Sequence, residues 1–546
     1  MLNKAVMNGA TFHKGFVVLQ RLMDSFSNRL LLVYCCLGIL LFSLYQFQIN
    51  PDGVSYLNIA HLYAIGDFHD AINGFWGPLI SWLLVPLILL KLQPLFAYKI
   101  VSLTISFFTF IAIRKLSYRF AINEEVRLLI LIAAIPMLLF YAFLLVTPDL
   151  VLLCITLYYF YYIFDADYSK KATQGFIIGF LGALLYFSKS YGFYFFIASF
   201  SLFTFIHYLQ SKARQERINV VLAYIFGLSV FLIISGIWIY TISSKYQHFT
   251  IATAGEYNIR FDSIGSQGQP MVYQGLLPLP YSGAVSAWDD PSRLTIDYEK
   301  SPRLVDWITY QIIHIVENGF SALHYFETFS IFSIVILLIY AIRRSGKRFR
   351  NAEERNQNPE DARKIHSSAF YALVTMFLYT SGYLLLHIEE RFLWVDAILL
   401  LLLCGYVCSN HFDFVRNAQL RQFLFFIIFF SFTLSPIKQL IQHVNVDRNI
   451  YMTSKQLQTA YHIKGNIASN TNWDETLFYA YFLDGNYYGA AKEKITDEEL
   501  QGELGIYHIN YYFVWNGVCR LSECRKIAAY EAEHLVVYQI ITTGSG

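Results

Sequence analysis

Charge is what this sequence is short of. Only 15% of its 546 residues are Asp, Glu, Lys or Arg, where a soluble globular chain carries about a quarter. The two signs nearly cancel, at a formal +2, so no net field exists to steer a nucleic acid onto the surface. Proline is scarce as well, with 13 residues, and there are 7 cysteines. A Pro-rich disordered chain, a collagen-like repeat and a small disulfide-built scaffold are therefore excluded. No internal repeat, low-complexity tract or glycine-rich nucleotide loop is visible. What is present instead is apolar: 56% hydrophobic residues, including 41 Tyr and 48 Phe. This composition leaves too little polar surface for a water-soluble globule and points to a multi-span membrane protein.

A bilayer-crossing helix needs about 20 mostly apolar residues. Runs of that kind fall at 30–49, 95–113, 128–146, 149–164, 173–188, 191–210, 218–241, 326–342, 367–386, 391–409 and 421–437, about 11 spans in all. The apolar stretch 77–90 is too short for a span and reads as a tilted helix at the outer surface. Lys4, Lys14, Arg21 and Arg29 mark residues 1–29 as a cytoplasmic leader. Basic residues return in alternate loops: Arg114, Lys115, Arg119 and Arg127; Lys170 and Lys171; Lys212, Arg214 and Arg217; Arg343, Arg344, Lys347, Arg348 and Arg350; Arg416 and Arg421. Such loops stay in the cytoplasm. Loops 50–76 and 243–306, and everything after about 441, then face outward.

Residues 30–440 thus make one helical membrane domain. Residues 441–546 make a small extracytoplasmic α/β domain, with strands expected near 463–468, Tyr511–Trp515 and 535–541, and helices near 474–483 and 497–504. The fold class is an α-helical integral membrane protein with outer-face juxtamembrane helices and this C-terminal α/β domain. Cys519 and Cys524 are the exported cysteines. An oxidising exterior permits a bond between them without requiring it, and with no histidine cluster nearby they do not make a zinc site.

The outward ends of the spans collect ionisable residues. Asp52 stands in Asn50-Pro51-Asp52-Gly53, Asp149 in Thr147-Pro148-Asp149, and Lys189 in Phe187-Ser188-Lys189-Ser190. His387, Glu389, Glu390 and Arg391 share one turn. Charges at membrane depth are costly and mark function. Each also has an ordinary use. Asp52, Asp67 and Asp149 fit helix N-termini, Lys189 and Arg391 can snorkel to headgroups, and Glu389 and Glu390 can be surface charges or partners of Arg391.

The order of motifs resembles polyprenyl-phosphate-dependent glycosyltransferases of the GT-C superfamily, in particular protein O-mannosyltransferases and the lipid A aminoarabinose transferase. The residues that carry the resemblance are Asp52-Gly53-Val54-Ser55-Tyr56, Gly66-Asp67-Phe68, Trp76-Gly77-Pro78-Leu79, Thr147-Pro148-Asp149, Glu390-Arg391-Phe392-Leu393 and Asn510-Tyr511-Tyr512-Phe513-Val514-Trp515. The resemblance implies transfer of a hexosyl or pentosyl unit, as in mannosyltransferases, from a polyprenyl-phosphate donor to a protein, lipid or glycan. Transfer would be on the extracytoplasmic side, with inversion, in a cell-envelope membrane such as the bacterial inner membrane. It assigns Asp52 as general base, Asp149 as a second acid, and Arg391 as a phosphate contact. Tyr56, Asp67, Trp76, Glu389 and Glu390 become substrate-binding candidates.

Relatives carry a Lys or His before a Pro-Pro pair, where this chain reads Phe75-Trp76-Gly77-Pro78. Lys189 and Arg260 are the basic residues left to help hold the phosphate. No cofactor is implied, and two acids alone neither require nor exclude a divalent cation. The rival expectation is a membrane transporter or lipid-linked-sugar carrier without transferase activity. Transporters, however, place charges near the midplane between repeated halves, and no repeated halves are found.

Overall fold

The computed structural model describes residues 26–165, 167–345, 359–521 and 523–541. The apolar runs wind into helices because hydrocarbon offers backbone N–H and C=O groups no partner but each other. In chain order these are α1 (Phe26–Tyr45), α2 (Pro51–Ile65), α3 (Phe68–Ala71), α4 (Pro78–Leu89), α5 (Pro94–Ser117), α6 (Glu124–Phe143), α7 (Asp149–Ile163), α8 (Gln174–Ser188) and α9 (Tyr191–Gln210). There follow α10 (Arg214–Tyr246), α11 (Thr253–Phe261), α12 (Pro270–Tyr273), α13 (Leu304–Phe329), α14 (Ser333–Ser345), α15 (Pro359–Leu384), α16 (Trp394–His411) and α17 (Ala418–Gln442). Among the described residues, seven helices are long and apolar enough to cross a bilayer: α1, α5, α6, α9, α10, α17, and α16 with the 3-10 turn before it. The protein is a multi-pass membrane protein. Helices α4, α7 and α8 are apolar but shorter.

The expected count of 11 spans does not emerge, and one expected span is broken. Residues 326–342 belong to two helices, because α13 ends at Phe329 and α14 starts at Ser333 with a bend of 99° between them. Counted together, the pair would make an eighth crossing. Serine hydroxyls make the break affordable. Ser333 Oγ donates to the carbonyls of Phe326 and Ser330 at 2.6 Å, and Ser330 Oγ meets Ser431 Oγ of α17 at 2.6 Å. Carbonyls freed by a bend thus keep partners.

Helix α16 is the buried axis of the bundle. Apart from Asp396, whose Oδ2 accepts from the Thr380 hydroxyl at 2.7 Å, its buried stretch is apolar on all sides, as in a helix with no water-facing side, and every residue from Trp394 to Cys408 is buried. The basic loops gather at one end of the bundle. Arg119 pairs with Asp165 at 2.9 Å, Arg343 with Asp413 at 3.2 Å, and the Asn123 N–H donates to Ser409 Oγ at 3.0 Å. Helix α5 ends there; its 24 residues span about 36 Å at 1.5 Å per residue. Its other end, at Pro94 and Leu95, lines a cleft with Tyr481 and Asn486 of the C-terminal region.

That region begins with α18 (Arg448–Tyr461) and carries β1 (Asn466–Ser469), α19 (Trp473–Phe482), β2 (Asn486–Ala490), α20 (Asp497–Ile506), β3 (Tyr511–Trp515), β4 (Cys524–Tyr530) and β5 (Leu535–Ile540). The sheet order is β2-β1-β3-β5-β4. Strand β1 is parallel to both β2 and β3, while β5 is antiparallel to β3 and β4. Of the short apolar runs expected as strands, Tyr511–Trp515 and 535–541 form β3 and β5, and 463–468 overlaps β1, which starts three residues later. Strands β2 and β4 were not expected; Asn-Tyr-Tyr-Gly-Ala and Cys524–Tyr530, with its adjacent Arg525 and Lys526, lack a strong apolar signal. Cys519 and Cys524 are disulfide-bonded.

The segment 247–303 is not a free loop. Its inner edge adds to the sheet: the Leu277 N–H donates to the Tyr488 carbonyl, and the Tyr487 N–H to the Val285 carbonyl, both at 2.7 Å. A row of unpaired groups on β2 is thereby covered. Its other side clamps α2 through Asp289, which is fully buried. One carboxylate oxygen accepts from Asn58 Nδ2 at 2.7 Å and the Val285 N–H at 2.8 Å, and the other from Ser55 Oγ at 3.1 Å. Burial pushes this carboxyl up to about 6, against the pull of those donors. Asp289→Ala would strand several buried donors at once. It is expected to cost roughly 3 kcal/mol, read as a lower thermal-unfolding midpoint and faster proteolysis between residues 247 and 303.

Candidate active site

Helix α2 starts at Pro51, whose fixed φ suits a first helical turn. Asn50 precedes it, and its Oδ1 accepts from the Val146 N–H at 2.8 Å. This bond ties the start of α2 to the start of α7. Gly53 is required there, since a Cβ would lie 2.5 Å from that of Val146. Asp52 sits in the first turn but makes no capping bond. Its Oδ1 accepts from the Trp288 indole N–H at 3.0 Å, and its Oδ2 meets Arg391 at 2.9 Å.

Asp149 is the first residue of α7 and is 3% exposed. Its Oδ1 accepts from Lys189 Nζ at 2.9 Å and its Oδ2 from the Thr147 hydroxyl, with Arg391 Nε 4.0 Å from Oδ2. Lys189 therefore turns inward and does not snorkel. It ends α8, where the backbone becomes extended. Gly77 allows α4 to press against this corner, because a Cβ there would lie 2.3 Å from the Ser188 carbonyl oxygen. Lys189 Nζ also stands 3.5 Å from the centroid of the Phe392 ring. Burial lowers its affinity for a proton, and Asp149 partly restores it.

Arg391 lies in the 3-10 turn that leads into α16. It is the hub of the site. Besides Asp52 and Asp149 it holds Glu389, with Nε 2.8 Å from Oε2. The three carboxylates around it offset the cost of burying its charge. Burial would likewise raise Glu389; the bond from His387 and the Arg391 charge hold it down at about 2. His387 is raised in turn by its hydrogen bond to Glu389. Among the described residues, no ion pair joins Glu390 to this hub.

Five expected residues, Asp52, Asp149, Lys189, Glu389 and Arg391, thus form one continuous cluster. Tyr56 and Trp76 flank it, with rings 5.0 Å apart and the Trp76 indole N–H donating to the Trp288 carbonyl at 3.2 Å. Arg260 and Asp67 are not in it. Arg260 pairs with Glu256 one turn away on α11, and Asp67 caps α3 by accepting from the Asp70 N–H at 3.2 Å. The residues that sequence reasoning missed are Trp288, Asp289 and Phe392. A signal existed for the first two: Trp288-Asp289-Asp290-Pro291 holds the single tryptophan of the stretch 243–306. Among the described residues, no group of three or more His, Cys, Asp or Glu side chains is arranged to hold a metal ion; a guanidinium sits among these three carboxylates.

Chemically, the cluster offers a carboxylate with two directional partners, a second buried carboxylate locked by an ammonium, and a forked cation suited to phosphate. One pH consequence follows. The His387 pKa is raised on folding, so its bond with Glu389 stabilises the fold fully below about 6.5 and less as pH rises through the raised value. Glu389, lowered from 4.5 to about 2, loses its share progressively as pH falls from its ordinary value towards the folded one. The difference in melting midpoint between wild type and His387→Gln is expected to shrink between about pH 6 and pH 9.

No protein-family model and no curated protein sequence matches the chain. Solved structures do. ArnT, the lipid A aminoarabinose transferase, from Cupriavidus metallidurans bound to undecaprenyl phosphate aligns over 94% of this chain and 98% of its own, with TM-score 0.56 and 12% identity. The same protein in the apo state gives 93% and 97%, TM-score 0.54 and 12% identity. The apo oligosaccharyltransferase of Archaeoglobus fulgidus aligns over 89% of this chain and 69% of its own, with TM-score 0.52 and 11% identity. Both proteins are GT-C superfamily members, and the fold of this chain is the GT-C fold.

Proposed function

We propose that the protein is a glycosyltransferase that moves a sugar from a polyprenyl-phosphate carrier to an acceptor hydroxyl on a protein, lipid or glycan, with inversion. The observation that carries this reading is the convergence of Asp52, Asp149, Lys189 and Arg391 on one cluster at the end of the bundle away from the basic loops. The positive-inside rule supports reading that end, with the C-terminal domain beside it, as extracytoplasmic. A donor would keep its prenyl tail in the bilayer and lay its phosphate and sugar at the interface. The ArnT neighbour was solved with undecaprenyl phosphate, which fits a donor of this kind.

In the proposed reaction the acceptor oxygen attacks the anomeric carbon. The carbon–oxygen bond to phosphate breaks and its electron pair stays on the phosphate. Asp52 takes the acceptor proton, a contribution of typically 10²–10⁴-fold. Arg391 stabilises the charge growing on the leaving phosphate. Asp149, fixed by Lys189, keeps Arg391 in position from beneath. Tyr56 and Trp76 are buried against one another and back the cluster from inside, while Glu389 lies on its more exposed side. The protein would work in the inner membrane of a cell envelope.

Purified protein given a polyprenyl-phosphate sugar in native membranes should release free polyprenyl phosphate. Asp52→Asn is expected to cut this release at least about 100-fold with expression and melting midpoint retained. Undiminished release by that variant would remove Asp52 from its role. Arg391→Ala is expected to lower turnover by about 10²–10³-fold; unchanged donor dependence would place the phosphate elsewhere.

A further inference from the structure

We propose that Trp288 is a positioning residue for Asp52, holding it in place while Arg391 is transferred from Asp52 to the leaving phosphate. The proposal rests on the donor reading above. It begins from an awkward fact of geometry. Both oxygens of the proposed base are occupied, one by Arg391 at 2.9 Å and one by the Trp288 indole at 3.0 Å. A carboxylate paired with a guanidinium is a poor place to put a proton. Arg391 must therefore leave Asp52 for the base to act.

The reaction supplies the force. A polyprenyl-phosphate sugar is a phosphodiester with one negative charge. As its bond to carbon breaks, that charge grows towards two. A planar guanidinium prefers a phosphate that can take both of its parallel donors, and Arg391 touches Asp52 through only one terminal nitrogen. Its other contacts, to Glu389 and Asp149, keep it near while it turns. The growing charge thus draws the cation away as the acceptor proton arrives.

Trp288 is built to stay. Its indole N–H can only donate and carries no charge, so it holds an anionic Asp52 while the growing charge on the phosphate pulls on Arg391 far more strongly. It is 9% exposed and wedged against Trp76 and Phe75, with centroids 5.9 and 6.1 Å away. Its neighbour Asp289 is clamped to α2 itself, through Ser55 and Asn58. The donor and its acceptor are therefore carried on one rigid unit, and losing Arg391 does not let Asp52 swing.

The test is indole NMR on the full-length protein in detergent, labelled with ¹⁵N-tryptophan, with undecaprenyl phosphate as a stand-in for the leaving group. The chain has 8 tryptophans, and the signal absent from Trp288→Phe identifies the one that matters. On adding undecaprenyl phosphate, the Trp288 Nε1 proton is expected to move downfield, as its bond to the released carboxylate strengthens. In Arg391→Ala it should already sit downfield without lipid and should not move when lipid is added. In Asp52→Asn it should not respond to lipid. A Trp288 signal fixed in wild type while other signals report lipid binding would overturn the proposal and leave the donor reading standing. No lipid-induced change anywhere would overturn both. A Trp288 signal in lipid-free Arg391→Ala equal to that of wild type would overturn the exchange.

Discussion

Everything at this site turns on one guanidinium shared by three carboxylates. Arg391 meets Asp52, Asp149 and Glu389, which arrive from three distant parts of the chain. Without a cation between them, three acids in one pocket would repel one another; the guanidinium turns that repulsion into attraction towards a common centre. Lys189 plays a lesser version of the same part, pinned by Asp149 on one side and the ring of Phe392 on the other. The bundle is arranged to serve this contact: α16, the buried axis, delivers Arg391 at its start, while α2 and α7 deliver the two aspartates at theirs.

Much of this was legible in the sequence, for physical reasons. An apolar run interrupted by a charge is conspicuous, so Asp52, Asp149, Lys189 and Arg391 could be singled out before any coordinates. Charges are expensive near lipid and are not kept for decoration. The α/β character of the C-terminal region could be read from Tyr511–Trp515 and its neighbours, because a buried strand must be apolar. The same logic explains the failures. Strand β2 lies at the sheet edge, where the packing demand is weak. The break between α13 and α14 rests on serine hydroxyls that a hydropathy window averages away. Arg260 looked useful only because it was basic and outward. Its partner, Glu256, stood four residues away in plain view.

Trp288 failed to stand out for a different reason. It lies 236 residues from Asp52, in a stretch rich in turn formers, and nothing local hints at such a distant partner. What places it is tertiary: the Asp289 clamp on one side and pairing with β2 on the other. The segment 247–303 is thus an interposed layer between membrane helices and sheet, and Trp288 is its contribution to the cluster.

That pairing with β2 runs through main-chain atoms at Leu277, Val285, Tyr487 and Tyr488. Main-chain bonds are indifferent to side-chain identity; proline alone cannot donate one. Natural selection is therefore free to rewrite the outer face of the C-terminal domain, and with it whatever that face meets, without loosening its grip on the layer that steadies Asp52. An architecture of this kind can share its scaffold with ArnT at only 12% identity.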